Sequence, residues 1–131
     1  MERKDPMSVG VVGEDIAQKY LEKRGYRTIA RNYRKKWGEL DIVMEKDGVV
    51  HVIEVKTVSL SKDKWPKEGE DAHRPEDKVH AQKRARLARA IQTFLAEKHL
   101  FEREWTCDVV TVCLDPFSKT ARVQVLADIL L

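Results

Sequence analysis

One short stretch narrows the possible folds more than any other. Residues 38–56 read GELDIVMEKDGVVHVIEVK, two strand-like segments on either side of Asp47-Gly48. An Asp-Gly pair between such runs is a strong hairpin signal, because a tight turn there needs two residues that tolerate positive φ. A two-residue turn pairs Lys46 with Val49 and Glu45 with Val50, and so on away from the turn. On that register Asp41 lies directly opposite Glu54, and Glu39 directly opposite Lys56. Opposed side chains stand about 4.5–5.5 Å apart at Cβ, so positions 39, 41, 54 and 56 share one face at the open end of the hairpin.

Two carboxylates facing each other in a sheet destabilise it by repulsion and desolvation. A shared proton, a salt bridge to Lys56 or a divalent cation each offsets that cost. A hard cation such as Mg²⁺ favours this oxygen ligation, completed by waters and a substrate phosphate, and the Val55 carbonyl offers one more ligand. Beside a phosphate, the Lys56 ammonium orients a nucleophile and stabilises developing negative charge. Glu14 sits at the edge of a helical apolar stripe, near Leu21 on the wheel. Alone it reads as an amphipathic boundary residue; with Asp41 and Glu54 it becomes a third carboxylate reaching toward the sheet. The same spacing also fits a surface hairpin with a Glu–Lys ladder and no ligand, and a three-residue turn would shift the register.

The rest of the chain supplies the frame. Residues 11–24 read as a helix with Ile16, Ala17, Tyr20 and Leu21 on one stripe and Gly25 placed to end it. Strands are expected at 26–33, 39–46 and 49–58. Residues 59–74 form a long polar connection around Trp65-Pro66, of a length that marks a functional or a mobile loop. Pro75, Glu76 and Asp77 suit the first turn of a second helix, whose buried stripe is Leu87, Ala88, Ile91, Phe94 and Leu95. Strands at 105–114 and 121–127 follow a helical crossover and flank a turn at DPFS. The predicted order is α-β-β-β-α-β-β: an antiparallel meander, a parallel crossover and a mixed β-sheet flanked by helices.

At 131 residues the chain suits a single domain, 1–131, with residues 1–10 a flexible lead. It lacks an apolar run of membrane-spanning length, and MERKDPMSVG lacks the apolar core of a signal peptide, so a cytoplasmic location and no membrane partner are expected. Cys107 and Cys113 share one strand, with Cα atoms about 20 Å apart, beyond disulfide reach. His51, His73, His80 and His99 show no zinc-ligand spacing, so both cysteines read as core residues.

Net charge is only +3, but its distribution is uneven. Residues 23–36 carry seven basic side chains and no acid, and residues 78–96 carry five and no acid. Such runs fit either solvated faces or a polyanionic partner that Arg31, Arg34, Lys83 and Arg86 would hold.

GELD followed by IEVK resembles the PD-(D/E)xK nuclease signature, with Asp41 as the first acid and Glu54-Val55-Lys56 as the E-x-K. More widely, GEDIAQKYLEKRGYRTIARNYRKKWGELDIV, IEVKT and KRARLARAIQTFL resemble the YraN-like family of uncharacterised bacterial proteins, which is related to archaeal Holliday-junction resolvases. The resemblance implies an α/β restriction-endonuclease-like fold, with Glu14, Asp41 and Glu54 as metal ligands, Lys56 as a catalytic residue and Lys83 near the substrate phosphate. Val58 and Arg84 depart from it, standing where the family usually has a basic residue and Gln.

The combined expectation is an endonuclease that cleaves DNA with Mg²⁺ or Mn²⁺, with a preference for branched structure. Asp41, Glu54 and Lys56 would be its catalytic residues, and Asp41, Glu54, Val55 and Glu14 its metal site. The alternatives are a module of the same fold that binds nucleic acid with little turnover, and a partner-binding domain using Trp65 and its loop. A homodimer is compatible with the sequence.

Overall fold

A computed structural model describes residues 5, 7–67 and 81–127. Helix α1 (Val9–Glu22) is followed by strands β1 (Arg27–Lys35), β2 (Gly38–Lys46) and β3 (Val49–Ser59). A short 3₁₀ turn (Lys62–Lys64) leads on, and helix α2 (Ala81–Glu97) precedes strands β4 (Trp105–Asp115) and β5 (Thr120–Leu126). The five strands form one sheet in the order β1-β2-β3-β4-β5. Only β3 and β4 run parallel among them, across the α2 crossover. The expected order and mixed pairing therefore hold.

The two helices cover opposite faces, and strand alternation decides which residues meet which helix. Ile42, Met44 and Ile53 point to α1 and pack with Ala17, Leu21, Val110 and Val112. Val43, Val50 and Val52 point to α2 and pack with Leu87, Ile91, Phe94 and Leu95. Phe94, Ile91, Ile42, Val43 and Val52 are fully enclosed, each 0% exposed. Burial of such side chains stabilises by about 1.5–3 kcal/mol apiece, so these two layers hold the sheet between the helices.

Local chemistry sets the element ends. Ser8 caps α1 by accepting the Val11 N–H at 3.2 Å, so the helix begins at Val9 rather than at residue 11. It ends at Glu22, with the Tyr26 N–H bonded to the Leu21 carbonyl and the Gly25 N–H to that of Glu22. Gly25 thus closes the helix in the way its position suggested. The hairpin turn has φ of 52° at Asp47 and 81° at Gly48, both positive, as a two-residue type I′ turn requires. α1 lies unusually close to β3: a Cβ on Gly13 would stand 1.9 Å from Thr57 Oγ1, so only glycine fits there.

Residues 59–67 are held in place rather than looped out. Asp115 accepts the Lys62 N–H at 3.0 Å, the Trp65 indole donates to the Leu60 carbonyl at 2.9 Å, and Arg122 donates to the Pro66 carbonyl at 2.6 Å. The rest of the 59–74 connection, the expected first turn at Pro75, Glu76 and Asp77, and residues 1–4 of the N-terminal lead lie outside the described residues. Cys107 and Cys113 are buried core residues, and burial pushes the Cys107 thiol up to about 12. No helix among the described residues is long and apolar enough to cross a membrane.

Candidate active site

The hairpin register is the predicted one near its turn. Lys46 pairs with Val49, and the ladder runs regularly to Ile42 opposite Ile53. There it stops. Gly38 to Leu40 pair with β1, while Glu54 to Ser59 pair only with β4, so β2 and β3 part into a fork. The direct pairings expected for Asp41 with Glu54 and for Glu39 with Lys56 are therefore not formed. The reason is Asp41 itself: its Oδ2 accepts the Val55 N–H at 2.9 Å, so a side chain occupies the place of the next ladder bond.

A second irregularity supports the fork. Leu40 packs on the α2 side although Ile42 packs on the α1 side, so alternation slips at Asp41. In β1 the residue between the pairs Arg31–Ile42 and Tyr33–Leu40 is Asn32, whose φ is 52°. Asparagine tolerates this left-handed conformation better than most residues. The two strands thus turn together, sending Arg31 toward α1 and Tyr33 onto Phe94, with ring centroids 5.0 Å apart.

The fork opens into a cavity of ≈ 290 Å³ lined by Gly38, Glu39, Asp41, Glu54, Lys83, Arg86 and Leu87. Helix α2 reaches it because Gly38 carries no side chain; a Cβ there would stand 3.0 Å from the Arg86 carbonyl oxygen. Asp41 and Glu54 therefore do meet, through the fork rather than across a ladder.

The electrostatics are unusual for a sheet. Burial, then the Asp41 charge, pushes the Glu54 carboxyl up from 4.5 to about 8, against the opposing pull of Lys83 and Lys56. Glu54 Oε1 is buried with no hydrogen-bond partner among the described residues. Lys56 stands within hydrogen-bonding reach of Lys83, and burial together with that neighbour lowers its pKa. Two ammonium groups brought together beside two carboxylates form a site with local excess of both signs. Isolated ion pairing would not place cation against cation.

The remaining predicted residues divide. Arg86 and Lys83 are exposed on the cavity wall. Arg34 makes an ion pair with Glu39 at 3.4 Å. Arg31 instead clamps α1 to β1, bonding Asp15 at 2.6 Å, Gln18 at 3.0 Å and Glu14 at 3.2 Å. Glu14, only 6% exposed, is thus held by an arginine. Among the described residues no three acidic, histidine or cysteine side chains gather as a ready metal cage. The donors that fit a hard cation are the orphaned Glu54 oxygen, Asp41 and the Val55 carbonyl. Sequence reasoning missed the Lys56–Lys83 contact and the twist at Asn32; an asparagine inside a strand was the available signal for the second.

The model of the Uncharacterised protein family UPF0102 matches residues 13–112. The chain belongs to that family. UPF0102 is the YraN family, so the resemblance read from the sequence holds. A UPF0102 protein of Alkaliphilus metalliredigens is 36% identical over 107 residues, covering 82% of this chain and 86% of its own length. One of Moorella thermoacetica is 35% identical over 117 residues, covering 89% and 90%. A Campylobacter jejuni member reaches 49% identity over 47 residues, 36% of this chain and 42% of that protein. Glu14, Asp41, Glu54, Lys56, Lys83 and Arg86 all fall inside the span matched by the UPF0102 model.

Proposed function

We propose that this UPF0102 protein hydrolyses phosphodiester bonds in DNA with Mg²⁺ or Mn²⁺, preferring branched or frayed structures. The observation that carries the reading is the fork, where the Glu54 carboxyl, its buried Oε1 without a partner among the described residues, and Asp41 stand against the adjoining lysines Lys56 and Lys83. A phosphodiester offers what both halves lack: an anion for the lysines, and oxygens that share a cation with the carboxylates. When bound by Asp41, Glu54 and the Val55 carbonyl, such a cation supplies charge neutralisation at the phosphate and a lowered pKa for water.

The chain's own residues do the rest. Lys83 and Arg86 hold the phosphate from α2. Lys56, on β3 beside Glu54, orients the attacking water and meets the charge that develops on the phosphate oxygens. Asp41 is itself positioned by the Val55 N–H, which ties the carboxylate to the strand that carries Glu54 and Lys56.

The test is a cleavage panel on single-stranded, duplex, flap and four-way DNA, in EDTA and in excess Mg²⁺ or Mn²⁺. The expected result is metal-dependent product that disappears with Lys56→Ala, while metal binding persists because an ammonium is not a ligand. Cleavage by Lys56→Ala at the parent rate would remove that residue from the mechanism. One observation favours a second reading, a nucleic-acid-binding module without turnover: Glu14 is engaged by Arg31 at 3.2 Å. That reading predicts binding of the same DNAs with no product under any metal.

A further inference from the structure

A second concavity adjoins the fork. It is a groove of ≈ 760 Å³ lined by Arg34, Lys35, Lys36, Trp37, Gly38, Glu39, Arg86 and Arg89. Gly38, Glu39 and Arg86 line both spaces, so the two are continuous. Arg34 pairs with Glu39 and Lys35 with Glu97. Lys36, Arg86 and Arg89 remain as groove cations with no acidic partner among the described residues.

The groove has a flat element as well as charge. The Arg89 guanidinium lies over the Trp37 ring, 4.1 Å from its centroid. Trp37 packs beneath against the α2-side core. Its indole N–H is buried without a partner among the described residues, which costs stability that a purely aliphatic side chain would avoid. A tryptophan in the two-residue turn between β1 and β2 is accounted for by the platform it makes under Arg89. Arg89 is exposed and lines the groove, so its side chain is within reach of a ligand there. Unpaired bases stack on such planes, whereas bases inside a duplex present only their edges and backbone.

We propose that this groove seats the unpaired strand of a polynucleotide, with one base stacked on Arg89 over Trp37 and its phosphates on Lys36 and Arg86, leading into the carboxylate fork. The inference rests on the nuclease reading above and narrows its substrate to strands unpaired beside the cleaved bond.

The test is equilibrium binding, in EDTA, of fluorescent duplexes with and without an unpaired extension, in DNA and RNA versions, alongside extensions in which abasic spacers replace the bases. Loss of a base stack weakens binding by about tenfold or more. Arg89→Lys keeps the charge but removes the plane, so it should weaken binding of extended DNA about tenfold and leave blunt duplex unchanged. Abasic spacers should reproduce the loss in the unaltered protein, a comparison that needs no variant. If Arg89→Lys and the spacers have no effect while duplex binds as well as extended DNA, the groove is an ordinary counter-charge surface and the inference falls, with the nuclease reading intact. Failure of every DNA to bind at low salt overturns both. Equal loss with RNA extensions supports the unpaired-strand seat and widens its substrate to either polynucleotide.

Discussion

Replacing Glu54 with glutamine is the sharpest probe of the fork. The carboxyl titrates at about 8 in the folded protein against 4.5 ordinarily, through burial and then the Asp41 charge. Its folded form therefore holds a proton more tightly than the unfolded chain does. Stability from that proton is complete below pH 4.5 and is lost as pH rises toward about 8. Each pH unit in that window removes about 1.4 kcal/mol, a ceiling of about 5 kcal/mol in all. Water in the open cavity and relaxation of Lys56 and Lys83 reduce this to roughly 2–3 kcal/mol. Glutamine mimics the protonated acid at every pH. In EDTA at pH 8, Glu54→Gln should thus melt about 6–12 °C above the parent, and at pH 5 within a degree or two of it. Adding Mn²⁺ should raise the parent and leave the variant nearly unmoved, because a cation that binds only the folded form stabilises through the ligand that glutamine removes. The assay is four thermal melts for each protein. A variant that melts below its parent at pH 8 in EDTA, or a parent–variant gap that does not change between pH 5 and pH 8, would refute the account of Glu54 as a buried, like-charged acid.

Two further outcomes test the frame around the site. Gly13→Ala puts a methyl 1.9 Å from Thr57 Oγ1, so it should cost about 1–3 kcal/mol in urea melts, with partial recovery on adding Thr57→Ala. Asp115 accepts the Lys62, Phe117 and Ser118 N–H groups, bonds that hold its carboxyl down from 3.8 to about 2. Its contribution should be intact above pH 3.8 and vanish as pH falls through about 2, a drop that Asp115→Ala should abolish while exposing the 59–67 segment to protease. A parent and an Asp115→Ala protein with the same acid limb would show that these bonds do not stabilise the fold.

Much of this protein is decided by short-range pattern. Asp47-Gly48 tolerates two positive φ values, so the turn and the first five pairs of the hairpin follow directly from the residues. The apolar spacing along α1 and α2 dictates which side of each helix is buried, and the length of the α2 crossover makes β3 and β4 parallel. Glu54 and Lys56 were legible together because strand alternation puts side chains two residues apart on one face, and Asp41 was set near them by a hairpin register that stops one pair short of it.

How that group is assembled was not legible, because it depends on departures from regularity. A side chain replacing a ladder bond at Asp41, and a left-handed residue at Asn32, end the pairing where simple extrapolation would continue it. Arg31 and Arg34 belong to one basic run, yet the first is consumed by Glu14 and Asp15 while the second borders the groove. Charge counted along a sequence does not say which cations already have partners; that is set by which acids the helices bring across. Lys83 meets Lys56, and Arg89 meets Trp37, only because α2 packs onto the fork over Gly38, a contact between segments some fifty residues apart. Pattern within a segment determines its own shape and buried face, whereas the meeting of segments, on which the site's chemistry depends, is settled by the packing of the whole chain.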